Sequence, residues 1–280
     1  MKQIIRNTGA TLEGTFYAGE SAQDADGSVT ITITRDDGTA LVTGAATTHP
    51  GIGRYAYLLS PQADLDILTA VWTGAFGAVS QSIAKQYEIV GGHYVPLASV
   101  RNLPGLASTT NYPTAKLEDA RSWFEDLAEA HCGVAFVPRY GREVLDGDGT
   151  DTLYLSKRRI RSLRSIKIAG VTISLTGVTL KSSTGRVTLP SGTFTSGEDN
   201  VEVVYEHGYA EPPPALAEVA LVAIAEKLMG DRSGVPDRAL TMTTEVGSYT
   251  LSLAGENRPT GIPQVDAVLN KLRASSVVVR

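Results

Sequence analysis

Val29-Thr30-Ile31-Thr32-Ile33-Thr34-Arg35, followed by Asp36-Asp37-Gly38-Thr39 and Ala40-Leu41-Val42-Thr43, decides the reading of the N-terminal third. Apolar residues alternate with threonine at a period of two, and β-branched side chains suit a pleated backbone. Asp37-Gly38 carries hairpin-turn chemistry, so Ala40–Thr43 is expected as the return strand. Working outward, further strands are expected at Thr11–Tyr17, Gly53–Leu59, Asp66–Trp72 and Val79–Ile89. Gly, Pro and Asp clusters separate them at spacings that suit an all-β sandwich. Trp72 on a central strand suits such a core, but no cysteine pair accompanies it. An immunoglobulin-like (Ig-like) architecture is therefore expected from pattern alone.

Gly91-Gly92 is the expected domain break, because paired glycines relax the chain. Residues 93–280 change character. Thr114 to Cys132 predicts a helix with Leu117, Ala120, Phe124, Leu127, Ala128 and His131 on one face. Thr114 is the expected N-cap, Glu118 and Asp119 favour the positive end of the dipole, and Gly133 ends the helix. A β-rich insertion is expected from Val134 to Tyr205. Pro212-Pro213-Pro214 then leads into a helix from Ala215 to Met229, stopped by Gly230. A hairpin-like stretch follows at Thr241–Leu253, then a helix opened by Pro263 with the stripe Val265, Val268, Leu269 and Leu272. The expected fold is multidomain: an all-β Ig-like sandwich at 1–92, then an α+β domain at 93–280 with a helical scaffold and a β-rich insertion.

The chain has 280 residues, more than one core usually organises, which also favours two domains. Cys132 is the one cysteine, excluding an intrachain disulfide framework and a Cys-rich zinc site. No stretch approaches the ~18 apolar residues of a membrane span, and Met1 to Gly14 does not read as a secretory signal. Net charge is −5. Residues 1–92 hold 5 Lys/Arg against 9 Asp/Glu, and residues 93–280 hold 20 against 21. Neither half is a basic polyanion-binding domain, so any nucleic-acid contact must be local.

Chemistry-bearing motifs are sparse. His49, His93, His131 and His207 form no metal-ligand spacing. His131 adjoins Cys132, but neighbours on a helix point about 100° apart and do not face each other. Asp146-Gly147-Asp148-Gly149-Thr150-Asp151 begins like a calcium loop, yet Lys157 stands where the closing acid belongs. A polar turn is the expected reading. Walker, dinucleotide and nucleophile-elbow motifs are missing. Thirty acidic residues leave a paired-carboxylate hydrolase open without favouring one. No enzyme activity, cofactor or metal is expected.

Lys157-Arg158-Arg159-Ile160-Arg161-Ser162-Leu163-Arg164-Ser165-Ile166-Lys167 is the strongest local charge feature, with six cations in eleven residues. One reading is a polyanion contact, since clustered cations release phosphate counterions. The other is a strand with Ile160, Leu163, Ile166 and Ile168 inward and its cations turned to solvent or to a neighbour's carboxylates. No aromatics interleave the cations as stacking platforms, which favours the second. Lys157, Arg158, Arg159, Arg161 and Arg164 are thus candidates for a subunit interface or a channel lining.

Several segments together carry a family likeness: Val95–Leu106, the Leu117–Cys132 helix, Phe136–Arg142, Leu153–Arg158, Val203–Pro213 and Thr260–Leu269. In this ordered set, residues 93–280 resemble the head-to-tail connector (adaptor) proteins of long-tailed double-stranded DNA bacteriophages. The resemblance implies a virion protein of the neck, made in the host bacterial cytoplasm. It implies a dodecameric ring beneath the portal that joins capsid to tail and extends the channel. The implied partners are the portal, the next neck or tail-completion protein, and DNA passing without sequence recognition. No membrane is involved. Residues 1–92 look like an added decoration domain. The β-prone tail, with Val277, Val278, Val279 and Arg280, is expected to dock on the portal by adding a strand.

Two rivals follow from the same sequence. A glycan-binding sandwich on a virion anchor would use Tyr17, Tyr55, Tyr57, Trp72, Phe76 or Tyr87 as sugar platforms, and requires Trp72 to be accessible if that ring takes part. A tail-associated hydrolase would need carboxylates that the spacing does not reveal.

Overall fold

The computed structural model describes residues 1–230, 241–244, 247–250, 255 and 258–273. Strand accounts for 41% of the chain and helix for 21%, so β structure dominates, in several separate sheets. No barrel forms among the described residues. The chain divides into two compact units. The first comprises Met1–Gly92 together with Arg139–Arg142 and Val204–Glu206; the second comprises the remainder.

The first unit carries β1 (Lys2–Ile5), β2 (Ala10–Thr15), β3 (Tyr17–Ala18), β4 (Ser21–Ala22), β5 (Thr30–Arg35), β6 (Ala40–Ala46), β7 (Thr48–Gly51), β8 (Arg54–Leu59), β9 (Asp66–Phe76) and β10 (Val79–Val90). The Thr/Ile alternation works as expected: Ile31 and Ile33 are fully buried while Thr30, Thr32 and Thr34 are half-buried. Gly38 takes φ +84° in the turn, and Asp37 Oδ1 accepts from the Thr39 amide at 2.9 Å. One sheet runs β1-β10-β9-β5-β6 and another β2-β8-β7. Both contribute to one apolar core, with Ile31, Ile33, Leu68 and Trp72 from the first and Leu12, Tyr55 and Leu59 from the second. Gly14 is required there, because a Cβ would lie 2.7 Å from the Trp72 ring.

β1 was not anticipated. It pairs parallel with β10, Ile4 opposite Ile89, across more than eighty residues of chain. A four-residue segment with one buried side chain has too short a pattern to announce itself. Arg139 and Tyr140 also serve the first unit. Arg139 Nη1 lies 2.8 Å from Glu88 Oε2, its side chain only 5% exposed, and the Tyr140 hydroxyl donates to Asp36 Oδ2 at 3.1 Å.

The second unit begins with α1 (Leu97–Arg101) and α2 (Thr114–Cys132). Its β elements are β11 (Arg139–Gly147), β12 (Thr152–Tyr154), β13 (Ile160–Ile168), β14 (Val171–Thr172), β15 (Thr179–Lys181), β16 (Arg186–Thr188) and β17 (Gly197–His207), with the ends of β11 and β17 grouping with the first unit. α3 (Pro214–Gly230), the hairpin β18 (Thr241–Thr244) and β19 (Gly247–Thr250), and α4 (Pro263–Leu272) complete it. The sheet orders are β11-β17-β13-β14 and β12-β16-β15.

Leu117, Ala120, Phe124, Ala128 and Cys132 on α2 recur at helical spacing and are buried against Leu216, Ala220, Ala223, Ile224 and Leu228 of α3 and Val265 and Leu269 of α4, in one core. Each large apolar side chain sealed there contributes about 1.5–3 kcal/mol. Two details of α2 differ from expectation. Pro113, not Thr114, occupies the N-cap, since its extended backbone (φ −59°, ψ 154°) precedes the first helical residue. Glu118 and Asp119 lie beyond the first turn, which holds no acid, so they miss the part of the helix where the dipole acts. Gly133 ends the helix in the left-handed region at φ +67°, as expected.

Candidate functional site

The cationic segment begins in the turn before β13. Ser156 anchors this turn: its amide donates to Glu143 Oε2 at 3.0 Å and its hydroxyl to Glu143 Oε1 at 2.8 Å. Arg159 follows with φ +56°, an unusual backbone for a residue with a Cβ. Its carbonyl accepts from the Gly208 amide at 2.9 Å. Gly208 has φ +101°, and a Cβ there would stand 2.3 Å from the Val137 carbonyl, so no other residue fits. Behind this pairing, the Tyr209 amide donates to the Ala135 carbonyl at 3.0 Å.

The strained turn lays the Arg159 guanidinium on the Tyr209 ring, 3.8 Å from its centroid. Tyr209 itself stacks on buried Phe136, with centroids 5.3 Å apart at 28°. A guanidinium held face-on to an aromatic ring keeps its in-plane N–H donors available, the geometry that grips a carboxylate or phosphate. Arg159, Arg161, Ser182 and Tyr209 line one groove with Ile160 and Leu180. The Ser182 hydroxyl is committed to the Ile160 carbonyl at 2.5 Å.

The six cations of the segment are not equivalent. Lys167 Nζ pairs with Glu202 Oε1 at 2.7 Å, and Arg158 and Arg164 engage other residues. Lys157 and Arg161 are exposed and make no ion pair among the described residues. Ile160 and Ile166 are buried as expected. Leu163 is only half-buried, because an odd position on this strand points to the other face. Although no aromatic interleaves the cations in sequence, Tyr209 reaches them from fifty residues away. Its one sequence signal is the Gly208-Tyr209 pair directly after β17.

The acids are also unevenly disposed. On α2, Glu125 is fully buried and accepts from the Tyr94 amide at 2.8 Å, while Glu129 accepts the Tyr94 hydroxyl at 3.1 Å. That helix therefore does not present a continuous acidic face. The Asp146–Asp151 turn does stay exposed. Asp148 Oδ1 accepts from the Thr150 amide at 2.9 Å and hydroxyl at 2.7 Å, bonds that hold its carboxyl below the usual range. Asp146 Oδ1 accepts from the Asp199 amide at 2.7 Å. This is the polar turn the sequence suggested. Among the described residues no group of three or more His, Cys, Asp or Glu could hold a metal.

The histidines fall in separate places. His49 Nε2 lies 2.8 Å from Asp24 Oδ1, His93 Nδ1 3.4 Å from Glu125 Oε2, and His131 Nε2 2.9 Å from Asn270 Oδ1; His207 is buried. Burial pushes the Cys132 thiol up to about 11, and its Sγ donates to the Leu269 carbonyl at 3.4 Å. Trp72 is completely buried and cannot act as a sugar platform. Val277, Val278, Val279 and Arg280 lie outside the described residues. No protein-family model matches the chain, and no curated protein matches it.

Proposed function

We propose that this chain is a structural virion protein: a connector that forms a ring beneath the portal of a long-tailed phage, joins capsid to tail and extends the DNA channel. In this reading residues 1–92 are an Ig-like decoration and residues 93–280 the adaptor. One observation carries it. Four of the six segments that bear the family likeness, scattered over some 170 residues, send Val95, Val100, Leu106, Leu117, Phe124, Phe136, Val265 and Leu269 into one core. Residues that pack together define a structural unit, so the likeness attaches to a fold and not to isolated words of sequence. The function is then one of shape, with no bond made or broken.

Labelling tests the reading. Antibody raised against residues 1–92 and tagged with gold should decorate the neck of intact particles, between head and tail. Label on the tail tip, or none on particles, contradicts it and returns the host-glycan alternative to first place.

A further inference from the structure

We propose that the Arg159/Arg161 groove of one copy takes the carboxylates of the Asp146–Asp151 turn of a second copy, in a head-to-tail contact that repeats around an assembly. This rests on the ring reading above and names the contact that builds the ring.

Four observations converge. First, Arg159 is a prepared anion fork: its backbone is held in the left-handed region, its guanidinium is stacked on Tyr209, and it has no ion-pair or hydrogen-bond partner for that guanidinium among the described residues. Strain retained in a well-packed setting marks a site more often than an accident. Second, Lys167 is neutralised by Glu202 while Arg158 and Arg164 are engaged, so Lys157, Arg159 and Arg161 remain to meet an outside anion. Three cations on a chain of net charge −5 are few for tracking a nucleic-acid backbone, but suffice for a turn with two or three carboxylates.

Third, the acidic turn is rigid. Thr150 fastens Asp148, the Asp199 amide fastens Asp146, and Thr152 Oγ1 donates to Asp151 Oδ1 at 3.0 Å. These carboxylates stay exposed, and holding each in place by a hydrogen bond lowers the entropy lost on docking. Arg186 lines the same groove without pairing with these acids, leaving it net negative. Fourth, the two grooves share no lining residue. A cationic patch and a separate acidic patch on one chain form a heterologous contact, the kind that closes rings.

The test is a charge reversal with rescue by mixing, read by mass photometry on the full chain. Arg159→Glu with Arg161→Glu makes one variant; Asp148→Lys with Asp151→Lys makes the other. Each variant alone brings like charges together at every contact, and self-association should weaken about tenfold or more. An equimolar mixture in which the two variants alternate restores opposite charges at every contact and should recover assembly to within a few-fold of the wild type. A variant that merely misfolds cannot be rescued this way. Wild type that assembles while both variants assemble equally well overturns this contact and leaves the ring reading standing. The same holds if the arginine variant assembles normally but loses retention of a double-stranded DNA fragment. Failure of the mixture to recover also overturns it; a wild type that stays monomeric alone overturns this contact, and one that stays monomeric with portal present overturns both proposals.

Discussion

Single side chains in this protein are set by what surrounds them. Cys132 is buried and desolvated with its thiol pushed up to about 11, so at pH 8 it is neutral and a poor nucleophile. Iodoacetamide should label it slowly in the native chain and rapidly in 6 M guanidinium; fast native labelling would contradict its placement beneath α4. Asp24 accepts from the Gly53 amide and sits beside His49, and both hold its carboxyl below the usual range. A depressed folded value means that the stabilisation is present above the unfolded pKa of about 3.9 and is lost as pH falls through the folded one. Carbon-detected NMR titration should place the Asp24 midpoint below that of an unfolded peptide, and Asn in its place should remove that acid-limb contribution. Arg139 is a sharper case, because its partner Glu88 is only 16% exposed. Arg139→Met removes the close cation from that part-buried carboxylate and should cost about 3 kcal/mol in denaturant unfolding, with part recovered on adding Glu88→Gln. A loss within the surface range of about 1 kcal/mol would show that water reaches the pair.

At the scale of elements, legibility followed pattern length. β5 could be read from alternation and α2 from its stripe of Leu117, Phe124 and Ala128, because each repeats its period, while β9 and β10 were legible from the Gly, Pro and Asp clusters that bound them. β1 could not, since its partner β10 lies more than eighty residues away, and the two-residue strands β3, β4 and β14 are too short to show a period. The candidate site was half legible. The cations stood out, but their sorting into engaged and available, and the arrival of Tyr209 under Arg159, depend on pairings that leave no local trace. The turn that sets Arg159 has its own test. Gly208→Ala forces a Cβ toward the Val137 carbonyl and should lower stability by roughly 1–3 kcal/mol. Phe124→Ala opens the centre of the α2–α3–α4 core and should cost about 3–5 kcal/mol, both changes being read by denaturant unfolding. If the glycine change is neutral, the left-handed turn is less constrained than its geometry indicates.

For the whole molecule, a connector role asks for repeated contact between copies and docking to a larger partner, not for a reaction centre. The two compact units, the single helical core of residues 93–280 and the separated cationic and acidic grooves suit that demand. The most direct measurement is electron cryomicroscopy of the purified full chain mixed with portal protein from the same particle. Class averages should show a closed ring of this chain stacked coaxially on the portal, with twelve-fold symmetry. Separate portal rings beside dispersed monomers at micromolar concentration would contradict the connector role.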